Sequence, residues 1–106
     1  MVLFQSITDK QGECGTMAGL LPGTVTMQAR LAGLGLQSVV LPEGALRGHT
    51  FHYSRIETSL APIAHGVPRR HGSAGEAVYR SGRLTASYLH LYFPSNPQAA
   101  AGLFLP

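Results

Sequence analysis

The sequence predicts an α/β domain with few helices, a sheet layer that stops short of a complete doubly wound fold. Three observations predict it. The 106 residues include 13 Gly and 7 Pro, so turns come often and elements are short. Apolar and β-branched stretches such as Leu36–Leu41 read as strands bounded by those turns. Helical periodicity with proper start signals appears clearly only at the C-terminal end.

In chain order, Leu3, Phe4 and Ile7 predict the tail of a helix over Met1–Ile7, which begins abruptly with no N-cap residue. Thr8–Gly15 is a polar turn. Met17–Leu21 is a short apolar run that Pro22-Gly23 stops, so a buried strand is expected there. Thr26–Leu34 places Met27, Leu31 and Leu34 on one helical face, with Gly33 and Gly35 ending the helix. Leu36–Leu41 is a strand closed by Pro42-Glu43-Gly44.

Ala45–Glu57 reads as one long strand. Alternation puts His49, Phe51 and Tyr53 on one face and Thr50, His52 and Ser54 on the other. Thr58–Gly75 carries little pattern and is expected to be a long loop. Glu76–Arg80 and Arg83–Phe93 flank Ser81-Gly82 as a hairpin. Asn96 then caps a final helix with Pro97 at its first position, running through Ala99–Phe104.

Composition excludes several classes of function. Hydrophobic residues make up 44% and charged residues 12%, which is not a disordered polar chain. The net charge is +3, and its Arg residues are scattered apart from Arg69-Arg70, so no basic stripe for nucleic acid is present. No run approaches the ~20 apolar residues that span a bilayer. MVLFQSITDK lacks the pattern of a signal peptide. The single cysteine, Cys14, rules out an internal disulfide framework and a multi-thiolate zinc site, and points to a cytoplasmic setting.

Chemistry-bearing residues are few. The 5 histidines stand at positions 49, 52, 65, 71 and 90. His49-x-x-His52 resembles metal-ligand spacing, but on a strand these two residues face opposite ways and no acidic or thiol cluster completes a site, so no metal is expected. His49 reads as a half-buried strand residue satisfied by backbone, and His65 and His71 as solvated loop residues. His90 ends the last strand before a Pro-containing turn, the place where ligands and catalytic groups collect in α/β sheets. An imidazole there suits a general base or the partner of a thiolate, and equally suits a buried histidine bonded to backbone. Cys14 in GECGT superficially resembles a glycine-flanked nucleophile turn. It lacks the apolar strand before and the helix after, so a loop thiol is expected. No G-x-x-x-x-G-K-[ST] or G-x-G-x-x-G phosphate loop occurs.

The segments MAGLLPG (17–23), LRGHTFHYSR (46–55) and ASYLHLYFPSNP (86–97) resemble the C-terminal glutamine amidotransferase domain of the cobyrinic acid a,c-diamide synthases, across nearly the whole chain. The resemblance implies a partial flavodoxin-like class I sheet of the triad type, with residues 1–106 forming its C-terminal portion. It implies an enzyme of cobalamin biosynthesis that amidates the a and c carboxylates of a corrin ring with ammonia from L-glutamine. ATP and magnesium would belong to an N-terminal synthetase domain, in the same or a separate chain, through which the corrin is met.

By the motif SYLH, the family's catalytic histidine falls on His90, which keeps a cysteine nucleophilic. The strand around Phe51, His52 and Tyr53 falls where related amidotransferases line the glutamine pocket. The family's own nucleophile lies in a Glu-Cys-Gly-Gly type turn just before a helix resembling MVLFQSITD. That turn is therefore expected outside these residues, and Cys14 does not replace it. An amidotransferase for a nickel-sirohydrochlorin-type tetrapyrrole, and a non-catalytic interaction module with open sheet edges, are the alternative readings.

Overall fold

Short apolar stretches punctuated by Gly and Pro give a chain of short strands, seen in a computed structural model that describes residues 3–69 and 75–105. His71 and part of the expected 58–75 loop lie outside them. Strands β1 (Ser6–Thr8), β2 (Cys14–Thr16) and β3 (Thr24–Met27) come first. The two long strands β4 (Gly33–Leu41) and β5 (Gly44–His52) follow, then β6 (Ser54–Glu57), β7 (Ala64–His65) and β8 (Val67–Pro68). Next, β9 (Ala77–Ser81), β10 (Leu84–Ser87) and β11 (His90–Tyr92) precede a 3-10 turn (Phe93–Ser95) and helix α1 (Pro97–Phe104). Among the described residues α1 is the one α-helix, so the chain is mixed α/β with few helices. No described helix is long and apolar enough to cross a membrane.

Contacts divide the chain into two units, Met1–Ala32 with Phe51–Ala61 and Gly33–Thr50 with Pro62–Pro106. The first holds a sheet in the order β2-β1-β3-β6. β1 runs antiparallel to β2 and parallel to β3, and β3 runs antiparallel to β6. The Asp9 carboxylate accepts the Gln11 and Glu13 amides, each at 2.9 Å, and so closes the β1–β2 turn. Phe4, Leu21 and Val25 are buried.

Three sequence expectations are corrected in this unit. The described part of Met1–Ile7 is not a helix tail, because Ser6–Thr8 pair on both sides as β1. Three apolar residues in so short a span fit either period, and cross-strand pairing decides between them. The expected helix over Thr26–Leu34 is absent. Thr24–Met27, two of them β-branched threonines around Val25, form β3, and Leu34 lies exposed on β4. Met17–Leu21 is irregular rather than a strand. Its amides at Met17, Gly19 and Leu21 instead donate to the Gln5, Phe4 and Leu3 carbonyls at 2.9–3.0 Å.

The second unit holds two sheets, ordered β11-β5-β4-β8 and β10-β9-β7. Its core is built from Val39, Leu41, Leu46, Val78, Leu89, Ala99 and Ala100. Along β4 and β5 burial alternates strictly from Leu36 and Ala45 onward, with Gln37, Val39, Leu41, Leu46, Gly48 and Thr50 facing in. Leu46 is 1% exposed at the centre of this packing. Leu46→Ala is therefore expected to cost about 2–5 kcal/mol of unfolding free energy, read as a lower urea midpoint at unchanged slope.

Helix α1 starts as the sequence predicts. Asn96 Oδ1 accepts the Ala99 amide at 3.1 Å while its Nδ2 donates to the Ala45 carbonyl at 2.9 Å, so one side chain caps the helix and ties it to β5. Gly44 (φ 140°) lets α1 approach, since a Cβ there would stand 2.9 Å from the Ala99 Cβ. Arg80 donates to Glu43 at 3.0 Å and to Thr85 at 2.9 Å, and its hydrogen bond holds the Glu43 carboxyl below its ordinary value.

The remaining corrections concern chain breaks. The long strand Ala45–Glu57 is interrupted at Tyr53, between β5 and β6. The expected loop Thr58–Gly75 contains β7 and β8. The hairpin turn is Gly82-Arg83, one residue later than expected, with Gly82 at φ 58°. Arg83–Phe93 is not one strand. The Ser87 hydroxyl donates to the Ala77 carbonyl at 2.8 Å and accepts the Leu89 amide at 3.0 Å, and the chain then enters a different sheet as β11.

Candidate active site

β11 adds to the edge of the long sheet beside β5, with His90 opposite His49, Leu91 opposite Gly48 and Tyr92 opposite Arg47. The outward residues of this sheet include Leu34, Leu36, Ser38 and Val40 on β4, Arg47 and His49 on β5, and His90 and Tyr92 on β11. His90 is therefore on an open face, not the buried histidine bonded to backbone that the sequence also allowed. The His90 and His49 rings lie 5.1 Å apart between centroids, tilted by 49°. His49, expected to be half-buried, is exposed.

Gly48 permits this arrangement. A Cβ at residue 48 would collide with the His90 carbonyl oxygen and stand 3.2 Å from the Leu91 Cα. On the inner side, buried Thr50 donates to the Glu76 carboxylate at 3.1 Å, and the Glu76 amide donates to the buried Gln37 side chain at 2.8 Å. This polar pin fixes β5 and β4 directly behind the two imidazoles. Beside His49, a cleft of about 900 Å³ is lined by Leu36, Ser38, Arg47, Arg69 and Tyr92 among others.

The other sequence-predicted site residues belong to the first unit. Phe51 and Tyr53 are exposed and meet edge to face, with centroids 5.8 Å apart. The Lys10 ammonium stands 5.6 Å from the centre of the Tyr53 ring. His52 is half-buried, and its Nδ1 donates to the Ser54 carbonyl at 2.9 Å. Cys14 is an exposed thiol that opens β2, followed by strand rather than helix. It thus lacks the strand-to-helix turn of a nucleophile elbow. The partnership of His49 with His90 was not readable from the sequence, because 40 intervening residues hide a register that only the β5–β11 pairing reveals.

The chain belongs to the CobB/CobQ-like glutamine amidotransferase domain family, whose model matches residues 1–98, and its mixed α/β fold with one described helix is consistent with part of such a domain. Within that family it is similar to enzymes of one name group. It is 55% identical over its whole length to the hydrogenobyrinate a,c-diamide synthase of Stutzerimonas stutzeri, covering 25% of that protein. It is 53% identical to the protein of the same name in Pseudomonas aeruginosa and 52% identical to the cobyrinate a,c-diamide synthase of Herminiimonas arsenicoxydans, in each case over the whole chain and 24% of the relative. The chain thus spans about a quarter of the length of the curated relatives it matches, at their C-terminal part.

Proposed function

We propose that this chain supplies the base of the glutaminase half-reaction in a hydrogenobyrinate or cobyrinate a,c-diamide synthase. The observation that carries the reading is the placement of His90. It is the histidine of the SYLH motif, and it is exposed on a sheet face where pairing of β11 with β5 holds its backbone. The nucleophile is a cysteine in the remainder of the relatives' length.

The chemistry then runs in two stages. His90 takes the thiol proton, and the thiolate attacks the glutamine side-chain amide carbon. The imidazolium returns that proton to the leaving nitrogen, and the C–N bond breaks to give ammonia and a thioester. His90 next removes a proton from water, which attacks the thioester. Return of that proton to sulfur releases glutamate and restores the thiol. The ammonia passes to the synthetase part, where the corrin carboxylates are amidated.

Phe51 and Tyr53 supply the exposed aromatic surface for the glutamine pocket. His52 helps to shape the same glutamine site, with its Nδ1 bonded to the Ser54 carbonyl. ATP and magnesium are assigned to the remainder of the relatives' length.

The test compares glutamate release by the 106-residue chain with release by the same chain preceded by the rest of a relative's sequence. The long protein is expected to hydrolyse glutamine and the short chain to be silent. Turnover by the short chain that Cys14→Ser abolishes would overturn the reading.

A further inference from the structure

We propose that His49 is the positioning residue for His90, orienting the base through ring-to-ring contact across the β5–β11 pair. The inference rests on the reading of His90 as the base. A base in a nucleophile–base pair works when a third group holds its ring in the productive orientation, and in the usual arrangement that group is a hydrogen-bonded carboxylate or amide. Here, among the described residues, no carboxylate pairs with His90 and no side-chain hydrogen bond reaches its ring. What does meet it is His49, 5.1 Å away between centroids and tilted by 49°.

Three features bring the two rings together. His49 and His90 are directly opposite in register, so both side chains leave the same face of the sheet side by side. Gly48 brings the two backbones closer than any side chain would allow, which shortens the reach between the rings. Thr50, the next residue on β5, is locked from below by Glu76. An exposed imidazole would otherwise sample its side-chain rotamers freely. With His49 on one flank, that range narrows before substrate arrives. Histidine at residue 49 is otherwise unexpected on an exposed, central strand, where a β-branched residue would serve the fold as well or better.

The experiment uses the complete synthase carrying this stretch, assayed with glutamine and separately with ammonia as nitrogen donor. His49→Ala is expected to lower kcat with glutamine about tenfold, to leave KM for glutamine within about twofold, and to leave the ammonia-dependent rate unchanged. His49→Phe keeps a ring on the same flank and is expected to restore kcat to within about threefold of the parent. An unchanged kcat in His49→Ala overturns the inference. So does a fall in both nitrogen-donor rates, which assigns His49 to the fold alone. A His49→Phe enzyme as slow as His49→Ala overturns the ring-contact role in favour of a hydrogen-bonding one. His90→Ala separates the two claims. If it keeps glutamine turnover, the base assignment itself fails; if it is dead while His49→Ala is normal, only the positioning role fails.

Discussion

Replacing His90 with alanine in the complete synthase is expected to remove glutamine-dependent amidation by about 10²–10⁴-fold while amidation from free ammonia continues. The two activities part because they need different groups. Forming the thioester needs a thiolate, and releasing ammonia needs a proton delivered to nitrogen; one imidazole does both in the proposed cycle. Free ammonia bypasses both steps. The decisive measurement is glutamate release in the variant. Release within a few-fold of the parent would show that some other group accepts the thiol proton. An equal loss of ammonia-dependent amidation would show instead that the substitution damages the synthetase part.

The second large effect concerns a residue with no functional atoms. Gly48→Ala places a methyl group against the His90 carbonyl oxygen, with the His90 carbonyl carbon 3.0 Å and the Leu91 Cα 3.2 Å away. All three neighbours are backbone, so no side chain can swing aside. β11 has to move off β5, which separates the two imidazoles and loosens the sheet edge. Overpacking of this kind costs about 1–3 kcal/mol. The expected result is a lower denaturation midpoint together with a loss of glutamine-dependent kcat of at least about tenfold. Gly15→Ala serves as the control. Its added Cβ would meet only the Met17 side-chain tip at 3.6 Å, so stability is expected to stay within about 0.5 kcal/mol. Equal behaviour of the two variants would show that the close approach at Gly48 does not hold the site together.

Part of this architecture was legible in residue order because its causes are local. Asn96-Pro97 states a helix start in chemistry that needs no distant partner, and α1 begins there. Leu36–Leu41 and the alternation from Ala45 to His52 follow from a single sheet face being buried, and both appear in β4 and β5. The outward direction of His49 and Phe51, opposite to Thr50, follows from the same alternation.

Other elements had no local cause. Ser6–Thr8 became a strand because β2 and β3 were available on either side, which outweighed a helix-like spacing of three apolar residues. Thr24–Met27 likewise became a strand by pairing with β1 and β6. The break between β10 and β11 depends on the Ser87 hydroxyl reaching Ala77, ten residues away. Without that break, His90 would continue the β9–β10 hairpin rather than join β5.

Residue order alone therefore indicated which way β5 turns its side chains and where α1 starts, because strand alternation and helix capping act over a few neighbouring residues. Tertiary structure alone decided that His90 faces outward and meets His49, because that meeting is a matter of register between two strands far apart in the chain. Register is set by the summed fit of buried faces, and no single stretch of sequence contains it.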